Sequence, residues 1–206
     1  VWESFNKDNV KGRIFCHLSG SLSSDVFSGI EKLGGYPISI HPLFAFSSKE
    51  SVYQQLNQVC FTLEGHPYAV AQWKDMLSAL GNKALVVSGE VKPKYHAAAS
   101  ILSNHVIAVL EAGYQLLEEC GFSEEEARTY TSVLVRDNVE HVIRDGCVKA
   151  MTGPIERGDE ETVAKHLSVL NPGQREIYQA CGRQLLVMAK EKNPDRTYSN
   201  IEDLLS

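Results

Sequence analysis

The side chains of this 206-residue chain that are best suited to chemistry lie in the segment KPKYHAAASILSN, from Lys92 to Asn104. Lys92, His96, Ser100 and Ser103 recur at three- or four-residue steps, so a helix would carry them along one stripe, with Asn104 at its border. An ammonium, an imidazole and an amide on an otherwise apolar helix must each be hydrogen-bonded or reach solvent. We therefore expect either a ligand cleft beside this stripe or a helix end that emerges at the protein surface.

The same segment opens a long apolar stretch that ends at Gly121. Pro93 suits the first turn of a helix, where a missing backbone N–H costs nothing, and Gly121 suits the left-handed residue that ends one. The apolar residues between them run almost all the way round the helix, which is typical of a central, buried helix. A second chain could complete its burial, so we expect a homodimer.

Short β-rich runs alternate with helical patterns over the first 90 or so residues. The predicted strands cover 13–17, 36–40, 60–64 and 84–87, and the predicted helices cover 25–33 and 67–80. Residues 43–58 are expected to form a loop with a short helix. This alternation predicts an α/β layer with crossover connections, and the change to an all-helical part falls near residues 88–93.

Capping signals divide the rest of the chain into further helices. Ser123 to Glu126 is a capping box that begins a helix to about Arg144, and Asp159 is an N-cap for a helix to Leu170. The intervening TGPIERGD segment is expected to form a defined turn because of its glycines and proline. A last long helix is predicted from about residue 173 to 191, followed by the small amphipathic piece IEDLL.

Two of the predicted strands end in residues that suit ligand binding, since ligands of open α/β sheets bind beyond the carboxyl ends of the strands. After the first strand, Gly20 would let a ligand approach the backbone, and the Ser19 hydroxyl can donate or accept a hydrogen bond. The second ends at His41 and Pro42, because a proline removes a ladder donor. His41 is placed for a cleft, although a structural histidine is the competing interpretation.

Composition restricts the classes of partner. The net charge is −6 and no basic run occurs, which argues against nucleic-acid binding. We expect no membrane partner, because no long apolar run is free of polar residues. The seven histidines lack ligand spacing, so no metal site is predicted.

The five cysteines never form CxxC, and we expect buried, reduced thiols in a cytoplasmic protein. GxSxG, GxxxxGK[ST], HExxH and GxGxxG motifs are all absent from the printed sequence.

Four segments resemble the DUF2520 proteins in order and spacing: CHLSG, GGYPISIHPLFAF, KPKYHAAASILSNHVIAVLEAGYQLLEECG and MTGPIERGDEETVAKHL. The resemblance runs from about residue 10 to 190, and its YHAAA…SN and TGPIxRGD blocks are quite specific. These Rossmann-like proteins are similar to pyrroline-5-carboxylate reductase, ketopantoate reductase and coenzyme F420-dependent NADP oxidoreductases. The resemblance implies an NAD(P)-binding Rossmann domain followed by an α-helical domain that dimerises around its long first helix.

The resemblance also implies a domain division. Residues 1–91 would form the C-terminal half of a Rossmann-like NAD(P)-binding domain, and residues 92–206 an α-helical dimerisation and substrate domain. The family's first strand, its glycine-rich loop and the residue that selects NAD or NADP would all precede Val1. We therefore expect an upstream segment that the numbered chain omits.

By resemblance, the activity would be hydride transfer between NADP or NAD and a small carbonyl or imine substrate. His96 or Lys92 would donate the proton, and Asn104 would orient the substrate. The other residues implicated are Tyr95 and Ser100 beside the substrate, and Ser19, Gly20, His41 and Pro42 beside the cofactor.

Arg157 could clamp a substrate carboxylate from its fixed turn, and the alternatives are a salt bridge to Asp159 or a helix-cap role. The competing hypothesis for the whole protein is a non-catalytic, dimeric binding or regulatory module, since the printed sequence has no glycine fingerprint.

Overall fold

The computed structural model describes residues 2–5, 7–46 and 56–206. Within it the chain forms two compact units, Val1–Val106 and Ile107–Ser206, each with its own apolar core. The helix expected within residues 43–58 falls largely on residues 47–55, which lie outside the described part. The domain boundary predicted after residue 91 stays a prediction, because a division into compact units does not test where a Rossmann-like domain ends.

A four-stranded mixed sheet forms the centre of the first unit. Its strands lie in chain order: β1 (Ile14–His17), β2 (Tyr36–Pro42), β3 (Cys60–Gly65) and β4 (Lys83–Val86). The outer pairs β1–β2 and β3–β4 are parallel, whereas β2 and β3 are antiparallel. Crossover connections were expected between all successive strands. The connection between β2 and β3 differs, because β3 begins at the same end of the sheet where β2 finishes. There the Leu43 N–H donates to the Cys60 carbonyl over 2.8 Å.

The sheet has one apolar and one polar face, because side chains alternate along a strand. Strand β2 contains the run Ile-Ser-Ile-His, and β3 the run Phe-Thr-Leu-Glu. Their aliphatic residues pack against helix α1 (Pro67–Ala79), and each fully buried one contributes roughly 1.5–3 kcal/mol. The polar residues, Ser39 opposite Glu64 and His41 opposite Thr62, share the other face.

The helix predicted over residues 25–33 does not form. The segment instead contains two 3₁₀ turns, Ser24–Phe27 and Glu31–Leu33. Gly29 lies between them with φ of +78°, a left-handed conformation that interrupts an α-helix.

Helices make up most of the chain after β4. In order they are α2 (Lys92–Ser100), a π-helical segment (Ile101–His105), α3 (Val106–Glu119), α4 (Glu124–Tyr130), α5 (Ser132–Asp145), α6 (Cys147–Ala150), α7 (Pro154–Arg157), α8 (Glu160–Val169), α9 (Pro172–Lys192) and α10 (Ser199–Leu205). The predicted capping box at Ser123 and the Asp159 N-cap are both confirmed. So is the fold class: a partial Rossmann-like α/β part is followed by a helical part that begins with a long helical stretch.

The core of the second unit is built by its last helices. Its buried residues run from Met151 on to Leu205, and α10 closes it by placing Leu205 against Gly182 of α9. A Cβ at Gly182 would lie 2.6 Å from a Leu205 methyl carbon, so only glycine allows this approach.

The predicted burial of the long helix is wrong for the single chain. No residue of α3 is buried, and Leu102 and Ile107 are 77% and 66% exposed.

The predicted burial of the cysteines is also wrong, since Cys60 is half-buried and the other four are exposed free thiols. In the part of the chain that the structure describes, no helix is long and apolar enough to cross a membrane.

Candidate functional site

The loop after β1 is fixed by the side chains of its own residues. His17 Nδ1 accepts the Ser19 N–H over 3.2 Å, so a neutral His17 donates from Nε2 to the Ser23 carbonyl over 3.0 Å. The Ser19 Oγ in turn accepts the Leu22 N–H over 3.2 Å. This brings Gly20 into a buried position on the polar side of the sheet.

Lys92, the first residue of α2, holds that loop against β2. Its side chain is fully enclosed, and its Nζ donates to Ser39 Oγ over 2.8 Å and to the Ser19 carbonyl over 3.2 Å. The Ser39 hydroxyl donates to the same Ser19 carbonyl over 3.2 Å. Burial lowers the pKa of Lys92, and the negative charge of Glu64 opposes that shift.

Glu64 is the buried acid of this polar face. It is 8% exposed, and its two carboxylate oxygens accept the backbone N–H and the hydroxyl of Ser24 over 2.6 and 2.9 Å. Both interactions tie the first 3₁₀ turn to β3. Ser24, Ser39 and Glu64 are site residues that the motifs of the sequence did not indicate, although the alternation of polar and aliphatic residues along β2 and β3 points to the last two.

His41 and His96 converge on Gly20, and Tyr95 is hydrogen-bonded to His41. The Tyr95 hydroxyl is 2.8 Å from His41 Nδ1, and the ring centroids of His41 and His96 are 6.1 Å apart. A Cβ on Gly20 would lie 2.5 Å from His96 Cδ2 and 2.8 Å from His41 Nε2. Gly20 therefore lets both imidazoles approach the loop, a contact that no larger residue permits without moving a ring.

The environment changes the acidity of two of these groups. Burial, with smaller contributions from the charges of Lys92 and His96, lowers the pKa of His41, so its ring is neutral at neutral pH. Burial also raises the pKa of the Tyr95 hydroxyl, and Cys60 adds to this rise. Thr62 opposes it, although its buried Oγ1 has no hydrogen bond of good geometry within the described residues.

The rest of the predicted stripe continues along the helix. Ser100 is half-buried at the end of α2, and Asn104 is exposed in the π-helical segment. There the Ser103 hydroxyl donates to the Ala99 carbonyl over 2.7 Å. Single π-turns inside α-helices are frequent at functional sites, so the π-helical segment is consistent with a ligand site beside this part of the helix.

The two remaining predicted residues lie elsewhere. Pro42 is buried at the end of β2, next to His41. Arg157 belongs to the second unit, at the end of α7, where its guanidinium is 3.9 Å from the Asp159 carboxylate and largely exposed. That separation is at the limit for an ion pair, and the role of Arg157 as a substrate clamp stays a prediction.

The chemistry that this cluster can support is hydrogen bonding and proton transfer by neutral imidazole and phenol groups beside a buried positive charge. Among the described residues, no group of three or more His, Cys, Asp or Glu side chains could hold a metal ion.

Comparison with known proteins gives this arrangement a context. The structure is similar to protein TM1727 from Thermotoga maritima, with a TM-score of 0.72 and 28% identity over 87% of this chain and 70% of that one. It is also similar to the protein titled "putative NADP oxidoreductase BF3122" from Bacteroides fragilis, with a TM-score of 0.69 and 21% identity over 84% of this chain and 65% of that one. No curated protein matches the sequence.

These likenesses define the fold: a partial Rossmann-like α/β part followed by a helical part. Residues 59–185 match the family described as "Domain of unknown function (DUF2520)", and the chain belongs to that family.

The hydrogen bonds of Lys92 lead to a prediction about the loop. Replacing Lys92 by Met removes the two hydrogen bonds of its Nζ. The loss of even one such charged bond, worth about 1.5–3 kcal/mol, should accelerate amide hydrogen exchange at Leu22 and Ser24 by at least about tenfold to a hundredfold. Lys94→Met, on the exposed side of the same helix, is the matched control and should leave these amides unchanged. Equal exchange in both variants would show that Lys92 does not hold the loop.

The lowered pKa of His41 leads to a prediction about pH. As the pH falls below about 6.5, the unfolded chain takes up a proton at His41 before the folded protein does, so stability is lost down to the folded-state pKa. His41→Gln should remove this part of the acid-side loss, as measured by urea unfolding at a series of pH values. His105→Gln, at an exposed histidine, should keep the wild-type profile, and an unchanged profile in His41→Gln contradicts the assignment.

Proposed function

We propose that this protein is an NAD(P)-dependent oxidoreductase that transfers a hydride to or from a small carbonyl or imine substrate. The observation that carries the proposal is the convergence of His41 and His96 on Gly20, with Tyr95 hydrogen-bonded to His41, at the carboxyl ends of the parallel strands β1 and β2. Ligands of α/β sheets bind at this edge. The family resemblance, and the neighbour whose title names an NADP oxidoreductase, support NADP or NAD as the cofactor.

We assign proton donation to His96, whose ring is exposed beside Gly20. Lys92 was an equal candidate in the sequence, but its Nζ is enclosed between Ser19 and Ser39, so its part is to hold the loop and to supply positive charge. Asn104 would orient the substrate, with Tyr95 and Ser100 as further substrate contacts. Arg157 is kept as a candidate clamp for a carboxylate.

The candidate contacts for the nicotinamide end of such a cofactor are Ser19, Gly20, His41 and Pro42. The His41 and His96 rings occupy the space beside Gly20, so the nicotinamide would lie against these imidazoles. When bound, the nicotinamide supplies or accepts the hydride. The protein side chains would orient the substrate, exclude water and provide the proton.

The test of the proposal is a fluorescence titration of the full-length protein with NADPH and NADH, followed by turnover assays with small carbonyl and imine compounds. We expect saturable binding, and a loss of roughly 10²- to 10⁴-fold in turnover for His96→Ala. His105→Ala is the matched control and should retain activity. Absence of binding at millimolar cofactor would refute the proposal and favour the non-catalytic binding module.

We further propose that the protein is a homodimer through its second unit. Helix α3 has no buried residue, and α5 likewise has none although it carries Val133, Leu134, Val139, Val142 and Ile143. An apolar hollow of about 340 Å³ lies beside α3, between Val109, Leu116, Ile177 and Leu185. A second copy is the occupant that we favour, since it would bring an identical apolar stripe of its own under two-fold symmetry.

Light scattering at micromolar concentration should therefore give the mass of a dimer. Val109→Arg would place a charge in the hollow and should shift the protein to monomer, whereas Glu191→Arg, at an exposed residue of α9, should remain dimeric. A monomeric wild-type protein would exclude the dimer.

A further inference from the structure

The hydrogen bond between Tyr95 and His41 decides which nitrogen of His41 carries the proton. The Tyr95 hydroxyl and His41 Nδ1 are 2.8 Å apart, and either group could formally be the donor. The unprotonated imidazole nitrogen is a much stronger base than a phenol oxygen, because imidazolium has a pKa near 6.5. The phenol is therefore the donor, and Nδ1 is the acceptor.

A neutral His41 whose Nδ1 accepts the Tyr95 proton must carry its own proton on Nε2. The Nε2 edge of the ring faces Gly20, where the ring of His96 also lies. His96 is exposed to solvent on this side of α2. The fully enclosed ammonium of Lys92 lies close enough to influence His41 electrostatically, and Glu64 is the acid that acts on Lys92. A ligand atom that reaches His41 Nε2 thus meets an N–H donor, with the Lys92 ammonium nearby.

We propose that this position binds an acceptor oxygen of a carbonyl, carboxamide or carboxylate group, and that it rejects a cationic iminium. The inference rests on the proposed function and narrows its substrate from carbonyl or imine to carbonyl. A protonated imine is a hydrogen-bond donor, as is the His41 Nε2–H, so the two groups cannot bond to each other. Its positive charge would also be placed near Lys92. A carbonyl oxygen, which gains negative charge as the hydride arrives, is stabilised by both groups.

The first arm of the test measures the tautomer of His41 by long-range ¹H–¹⁵N NMR correlation on the full-length protein. We expect an unprotonated Nδ1 and a protonated Nε2, the pattern required of His17 and His66, whose Nδ1 atoms accept the backbone N–H groups of Ser19 and Tyr68. Tyr95→Phe should shift His41 toward a mixture of tautomers, and Tyr68→Phe should not. A proton on Nδ1 of wild-type His41 would overturn the inference.

The second arm compares two probes of similar size, oxamate and acetamidinium, by following the His41 signals with and without NADPH. Oxamate should bind at least tenfold more tightly, and Tyr95→Phe should weaken it several-fold. Preference for acetamidinium, or no response to either probe, would overturn the inference. A response to oxamate in a protein that does not bind NADPH would instead uphold the oxygen site and refute the oxidoreductase proposal.

Discussion

The candidate site depends on one buried ammonium. Lys92 is removed from solvent at the start of α2, where its Nζ donates to Ser39 on β2 and to the Ser19 carbonyl of the loop. An enclosed charge is stable only with such partners. The same interaction therefore fixes the loop and places the start of the helix over the sheet. Its charge also adds to the effect of burial in lowering the pKa of His41.

The polar face of the sheet makes this arrangement possible. Strands β2 and β3 place aliphatic residues toward α1 and Ser39, His41, Thr62 and Glu64 toward the loop and α2. A sheet buried on two apolar faces would be more usual for an all-parallel Rossmann core. Here the second face instead supplies hydrogen-bonding groups, and the sheet becomes part of the site.

The second unit presents the opposite situation. Its own core is complete in the last helices, yet α3 and α5 expose apolar side chains over their length. Such exposure is costly for an isolated chain, because each Å² of apolar surface that is removed from water stabilises the protein by about 25 cal/mol. This is the physical reason for proposing that these helices form an interface with a second copy of the chain.

The sequence by itself indicated where the main helices after residue 92 begin, because capping residues and apolar periodicity act locally. It did not indicate that the helix expected from Ser123 to about Arg144 is divided into α4 and α5, or that residues 154–157 form the short helix α7. It also indicated the strand ends that carry Ser19, Gly20 and His41. It did not reveal that β2 and β3 are antiparallel, that residues 25–33 form 3₁₀ turns or that α3 is uncovered, since these depend on partners distant in sequence. Tertiary structure alone decided the site's chemistry: burial enclosed Lys92, Tyr95 was brought to His41 across 54 residues, and Glu64 was joined to Ser24 across 40.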